Sequence, residues 1–477
     1  MRPSHLIAVA SLLLVSGCTG GKSKAEWHDV SPAPQFSAGA AGAGDPYFPS
    51  YGNGGYDVTD YAITARYDPQ SLQLSAVTTV TATATANLSE YHLDFTGLTV
   101  RAVTVDGKAA QQRRADDELI ITPPAGIATG ATFVTEVRYD GKPRQKQNEI
   151  LGAGGFLATD DGAIVLGQPE SATTWFPVND HPSDKARYAF ALTVPSGLTA
   201  IANGKPGKTS TEAGWTTWKW AESVPMASYL ATAVIGKYRV RTGTHLGKPL
   251  YTAVAAALPA GGVADRSMAK TTTVADYLAT IFGPYPMDAY GGVVVSDPRI
   301  RFALETQSRP VYGASFFGDD EEGTSVVVHE LAHQWCGDSV AVARWQDIWL
   351  NEGFATYAEW LWEDHIGGQS VAEQFTAEYE DSPPAVWKLP PGRPGAAHLF
   401  DAGVYQRGAM TVQALRVAIG DKAFFDLVKQ WFASKKDGNG STAEFIALAE
   451  QVSGKKLATF FDAWLFTPKR PAQPRPA

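Results

Sequence analysis

Two histidines and two glutamates between residues 326 and 359 constrain this chain more than any other feature. That stretch reads VVVHELAHQWCGDSVAVARWQDIWLNEGFATYAE. His329 and His333 are four apart, with Glu330 beside the first. On a helix this spacing stacks both imidazoles on one face, one turn apart. Two neutral imidazoles so placed can share a Zn2+. Glu330 is rotated off that axis and reaches a water rather than the metal, which suits a general base. A catalytic zinc takes a third protein ligand and keeps one position open. Glu352 is the candidate, with eighteen residues between it and His333. Gly337 can end the first helix. Trp349 to Trp362 then reads as a second helix carrying Glu352 inward. Metal-bound histidines donate their other N–H to a carboxylate or carbonyl. Asn351 and Glu359 are placed to accept, and helical spacing favours Glu359.

At 477 residues the chain suggests two or three domains. Forty Lys and Arg against 49 Asp and Glu leave a charge of -9, which argues against a nucleic-acid partner. From residue 56 to 240 the pattern is β. AVTTVTATATANL alternates, LTVRAVTVDGK ends in an Asp106-Gly107 turn, and TFVTEVRY, FALTVP and WTTWKWAE continue the series. This reads as one antiparallel β-rich domain. From 241 to 477 helices dominate after a few strands. SMAKTTTVADYLATIFG stops at Gly283-Pro284, and Ser441 or Thr442 before Glu444 has the look of a helix cap.

The run HELAHQW, then GD, then W-x-D-x-W-L-N-E-G-F-A resembles the gluzincin aminopeptidases, the aminopeptidase N family. The resemblance implies an α+β multidomain fold, with a β-rich domain before a thermolysin-like, mainly α catalytic domain. It also implies a single catalytic zinc and peptide substrates with a free N-terminus. Longer members carry a helical domain beyond the point where this sequence stops, so a short member is expected.

Other site residues follow from that resemblance. GQPESATTWFPVNDHPSDKARY, residues 167–188, is similar to the family's Q-x-E…F-P-x-x-D-x-P segment. By position Glu170 then helps bind the substrate's α-ammonium; a surface loop carboxylate is its other reading. Asp180 and His181 read as structural. RFALETQ occupies the place of G-A-M-E-N, with the Glu kept and Met and Asn replaced by Leu304 and Thr306. Glu305 then holds the substrate amine, and Ala303 and Leu304 lie along the peptide as an edge strand. VYQRGA resembles the family's Y-x-x-G-A segment, so Tyr405 donates a hydrogen bond to the oxyanion. Arg407 reads as a surface charge. Cys336 stands where the family usually has an aromatic residue, and reads as a small buried side chain.

The first residues carry an address. Arg2, the short apolar run Leu6 to Val15 and Val15-Ser16-Gly17-Cys18 resemble a bacterial lipoprotein signal. The expected layout is a signal over 1–17, a lipid on Cys18 as the only membrane attachment, and a flexible Gly/Ala/Pro-rich tether over 18–55. A plain secretory signal is the alternative, and both export the protein. Cys336 then has no second thiol to pair with. Against the zinc aminopeptidase stand a thermolysin-type endopeptidase, which shares the zinc motif, and a non-catalytic surface binding protein. The second would show loss of Glu330 or a ligand, and the sequence keeps them all.

Overall fold

The structure, a computed structural model, describes residues 35–148 and 152–474. The expected signal over 1–17 and the lipid site Cys18 lie outside the described residues.

Long alternating strands build the first half. β1 (Tyr56–Asp68) and β2 (Gln73–Ala84) pair antiparallel. The two-residue pleat sends Ile63, Ala65 and Tyr67 of β1, and Leu74, Ala76 and Val80 of β2, into the core. A bulge between Val58 and Asp60 shifts the phase, so Val58 and Tyr61 are both buried although three apart. β3 (Thr99–Val105), β4 (Thr132–Gly141), β5 (Lys185–Pro195) and β6 (Trp215–Ala227) complete the sheet. Its order is β6-β5-β1-β2-β4-β3, with short strands at both ends.

One pairing departs from the expected antiparallel sheet. β5 runs parallel to β1, from Arg187 opposite Asp60 to Thr193 opposite Arg66. Between β4 and β5 the chain leaves this sheet to form Gly152–Ala158 and Ala163–Leu166 in another. A connection that long, unlike a hairpin, lets a strand return in the same direction.

A five-stranded sheet opens the mainly helical second half. β7 (Tyr238–His245), β8 (Lys248–Ala255), β9 (Tyr290–Val295), β10 (Ala303–Leu304) and β11 (Val311–Gly313) stand in the order β7-β8-β9-β11-β10. The boundary expected after Val240 therefore falls inside a strand. β10 ends the sheet, and among the described residues no strand pairs with its outer edge.

Several helices carry or support the functional residues. α1 (Thr271–Phe282) stops at Gly283, whose φ of 101° few other residues tolerate. α2 (Asp320–Ala332) starts from Asp319, whose carboxylate accepts from the N–H groups of Glu321 and Glu322. α3 (Trp349–His365) packs against α2 and against α4 (Gly408–Ile419). α5 (Asp421–Ser434) leads to α6 (Thr442–Ser453), which Ser441 and Glu444 close with a reciprocal capping box.

The described part of the expected tether makes specific contacts. Ser37–Ala38 pairs with Leu88–Asp94. The Asp45 carboxylate is buried and accepts from the Trp345 N–H at 2.8 Å and meets His181 Nε2 at 3.2 Å. Phe48 stacks on Tyr51 with centroids 4.7 Å apart. Glycine and alanine dominate the composition here, but one carboxylate and two aromatic rings find specific partners, and those outweigh the average.

Candidate active site

Helix α2 brings His329 and His333 to one face, with ring centroids 4.9 Å apart. His333 is the cap residue after the helix, and the chain then turns through Gly337 at φ 133°. A Cβ at Gly337 would stand 3.2 Å from both the His333 ring and the Asn351 amide, so glycine lets the turn fold under the ligand. Glu352 enters on the first turn of α3. Its Oε2 lies 3.4 Å from His329 Nε2 and 3.3 Å from His333 Nε2.

These three atoms fit a zinc ion. Bonds of 2.0–2.1 Å in a tetrahedron put ligand atoms about 3.3 Å apart. The tautomers fit too. His329 Nδ1 donates to Glu359 Oε1 at 2.7 Å, and Ser325 Oγ donates to the other Glu359 oxygen at 2.5 Å. His333 Nδ1 donates to the Cys336 carbonyl at 2.8 Å. With each Nδ1 carrying its proton, both Nε2 lone pairs face Glu352. Glu359 thus stands where helical spacing put it. Asn351 makes neither contact. The Cys336 thiol points back to the Ala332 carbonyl at 3.3 Å, so its carbonyl and not its sulfur touches the ligand set.

The electrostatics of the protein groups suit a cation. Burial alone would raise Glu352, yet the two imidazoles hold it down at about 2. Burial alone would lower His329, yet Glu352 and Glu359 carry it up to about 10. A cation would replace those protons. Glu330, 5% exposed, is pushed up by burial to about 8, with the imidazoles opposing and Glu305 and Glu352 assisting.

Glu305 follows β10 directly and is buried. It accepts from the Tyr229 hydroxyl at 2.9 Å and the Gln168 amide at 3.2 Å. One of its oxygens lies within 4.8 Å of both His333 and Glu330 ligand atoms. Burial raises its pKa, against the pull of His333 and with the push of Glu352. Ala303 is half-buried on the cleft wall, while Leu304 turns into the core. The cleft, about 350 Å3, is lined by all three proposed ligands, Glu330, Glu305 and Tyr405.

Tyr405 sits on a π-helical turn, Gly403–Arg407, immediately before α4. Its ring lies 6.1 Å from that of His329, at 24°. The extra residue in that turn rotates Tyr405 toward the cleft while Arg407 faces inward. Burial, then Glu352, Glu305 and Glu330, raise its pKa, so the phenol keeps its proton as a donor.

Two side chains have partners that their sequence context does not announce. Glu170 does not line the cleft. Its Oε1 pairs with Lys146 Nζ at 2.7 Å and accepts from Tyr51 at 2.9 Å, in an adjoining cavity of about 90 Å3. Lys146 already neutralises it, and Gln168, two residues earlier, reaches Glu305 instead. Arg407 is not a surface charge. It is fully buried and donates to the carbonyls of Trp387, Leu389, Ala463, Trp464 and Thr467 at 2.6–3.1 Å. Five fixed carbonyls disperse its charge. Asp180 and His181 make buried structural contacts with Ser228 and Asp45. Sequence reasoning passed over Tyr229 and Gln168; only Gln168, inside the Q-x-E pattern, left a signal.

Comparison with known proteins agrees with this geometry. Residues 57–230 match the model of the peptidase M1 N-terminal domain, and 271–464 match the peptidase family M1 domain. Aminopeptidase N of Streptomyces lividans is 26% identical over 432 residues, covering 82% of this chain and 48% of the relative. A probable aminopeptidase 2 from Sulfurisphaera tokodaii is 28% identical over 411 residues, 79% of this chain and 50% of its own. The chain thus spans half the length, or less, of these curated relatives. Coverage is higher against solved structures. The M1 zinc metallopeptidase of Deinococcus radiodurans is 30% identical, with a TM-score of 0.82 over 91% of this chain and 99% of that one. A mutant of it bound to the substrate Tyr-Ser-Ala gives 29% and 0.83, over 91% and 100%. With both domain models matched in order and a solved relative covered end to end, the chain belongs to peptidase family M1.

Proposed function

We propose that the protein is an aminopeptidase with one zinc per chain, releasing residues from the free N-terminus of peptides. The observation that carries this is the buried Glu305 carboxylate within 4.8 Å of His333 and Glu330. In a peptide the terminal nitrogen and the first carbonyl carbon are about 2.5 Å apart. An ammonium held by Glu305 therefore delivers the first carbonyl to the zinc ligands and no later one.

Zinc would be held by His329, His333 and Glu352 and would supply the Lewis acidity that acidifies water and polarises the carbonyl. Glu359 and the Cys336 carbonyl keep both imidazoles in the ligating tautomer. Glu330 takes the proton of the attacking water and passes it to the leaving amine. The Tyr405 hydroxyl donates to the oxygen that becomes negative. Tyr229 and Gln168 fix the Glu305 carboxylate against the ammonium. The outer edge of β10 offers backbone groups at Ala303 to an extended peptide. An endopeptidase substrate lacks the ammonium and would leave Glu305 buried opposite a neutral amide.

Export and a membrane-anchoring lipid on Cys18 are part of this proposal; their support is the N-terminal sequence. Secretion is the alternative. Among the described residues no helix is long and apolar enough to cross a membrane.

The test is a panel of aminoacyl-anilides, each free and N-acetylated, with and without a zinc chelator. Release from free amines only, abolished by chelation and restored by zinc, is expected. Equal cleavage of blocked internal bonds would make the protein an endopeptidase.

A further inference from the structure

Carboxylates outnumber every other charged group on the cleft wall. Glu305, Glu322, Glu330, Glu352 and Glu359 all line it. Arg301 is the one Lys or Arg among the described residues that do. It is solvent-exposed and makes no hydrogen bond or ion pair with any described residue, Glu322 on the same cleft included. Its neighbour shows the contrast. Arg299 is held by Asp297, at 2.9 Å from Nε and 2.6 Å from Nη2, and also donates to the Ala158 carbonyl. Arg301 also lines a second, open cavity of about 790 Å3, so it stands where the cleft leaves the catalytic chamber.

Position along the chain bounds the distance. Glu305 and Arg301 lie at opposite ends of the segment containing β10. Four residues of extended chain span at most about 14 Å, and three about 10 Å. A peptide with its ammonium on Glu305 and its backbone along the β10 edge runs toward Arg301. After three or four residues its end meets the guanidinium. A carboxylate arriving there enters a field of five glutamates and needs a cation. A guanidinium binds a carboxylate through two parallel hydrogen bonds.

We infer that Arg301 captures the free C-terminal carboxylate of a short peptide, making this site selective for peptides of three or four residues. The inference rests on the aminopeptidase reading above, since Glu305 must hold the other end. It adds a specificity residue on the departing side of the scissile bond.

The experiment compares kcat/KM for a tripeptide acid, the same tripeptide as its C-terminal amide, and an amide bearing Glu at position three. Wild type, R301Q and R301K are measured with each. Wild type is expected to prefer the acid over the amide by about tenfold or more, as a charge-assisted pair allows. In R301Q the ratio falls to near one, and R301K keeps part of it. Equal rates on acid and amide in wild type would overturn the inference. So would an acid-to-amide ratio unchanged in R301Q, or an amide with Glu at position three that gains as much as the free acid. Wild-type hydrolysis of an aminoacyl-anilide, which has no carboxylate, reports the aminopeptidase reading separately. If the anilide is not cut, that reading fails; if it is cut and the ratios do not move, only Arg301 is misassigned.

Discussion

Gly353 and Gly408 meet backbone to backbone where α3 crosses α4. A Cβ on Gly353 would stand 2.8 Å from the Gly408 carbonyl carbon, and one on Gly408 would stand 2.9 Å from the Gly353 Cα. Gly353 follows Glu352, and Gly408 closes the π-helical turn that carries Tyr405. This contact sets how far the third ligand stands from the tyrosine. Neither atom that would clash is the end of a flexible side chain, so Gly353→Ala must push the helices apart. The expected cost is about 1–3 kcal/mol, read by thermal unfolding. Activity should fall more than zinc content, because Tyr405 moves relative to the ligands.

Glu359 orients His329 without touching the metal position. Glu359→Gln keeps the shape but loses the charge that holds the Nδ1 proton. Zinc affinity should fall about 10- to 100-fold, measured by competition with a chromophoric chelator. Unchanged affinity and activity would remove this role.

Glu330 and Tyr405 should separate chemistry from metal binding. Glu330→Gln is expected to keep stoichiometric zinc and lose about 10^2-fold or more in kcat. Tyr405→Phe should lower kcat by about 10^2- to 10^3-fold with a smaller change in KM. Metal analysis of both variants checks that the ligands still hold zinc.

Asp45 should make stability depend on pH. Burial would raise it, but His181 and the N–H groups of Trp345, Tyr47 and Phe48 hold it at about 2. Its folded pKa lies below its unfolded value near 4, so its contribution is full above pH 4 and is lost as pH falls through 2. That contribution is about 2 kcal/mol. Asp45→Asn should therefore lose about that much at pH 7, and the gap to wild type should close between pH 4 and pH 2. Denaturant unfolding at several pH values measures the gap.

The cluster proposed to hold zinc was legible because it is local. His329, Glu330 and His333 lie within one and a half turns of a helix, and helix geometry alone fixes which side chains share a face. Glu359 is legible the same way, four residues from Ala355 and seven from Glu352 along α3. The capping box at Ser441 and the stop at Gly283 are also short-range backbone matters. Family likeness carried Glu305, Ala303 and Tyr405 to the cleft, where the structure also has them.

What the sequence determined by itself was therefore the chemistry that one helix or one strand can encode: ligand spacing, alternation, caps. What only the tertiary structure decided was which distant partner each remaining charge met. Glu170 faces Lys146, 24 residues back in the chain, rather than the cleft. Arg407 collects carbonyls from segments 18 to 60 residues away, and Asp45 binds a backbone N–H 300 residues on. A buried charge takes the counter-charge or dipole that packing brings beside it, because desolvation makes an unpaired one too costly. That choice is made by the whole fold, and no local pattern of residues records it.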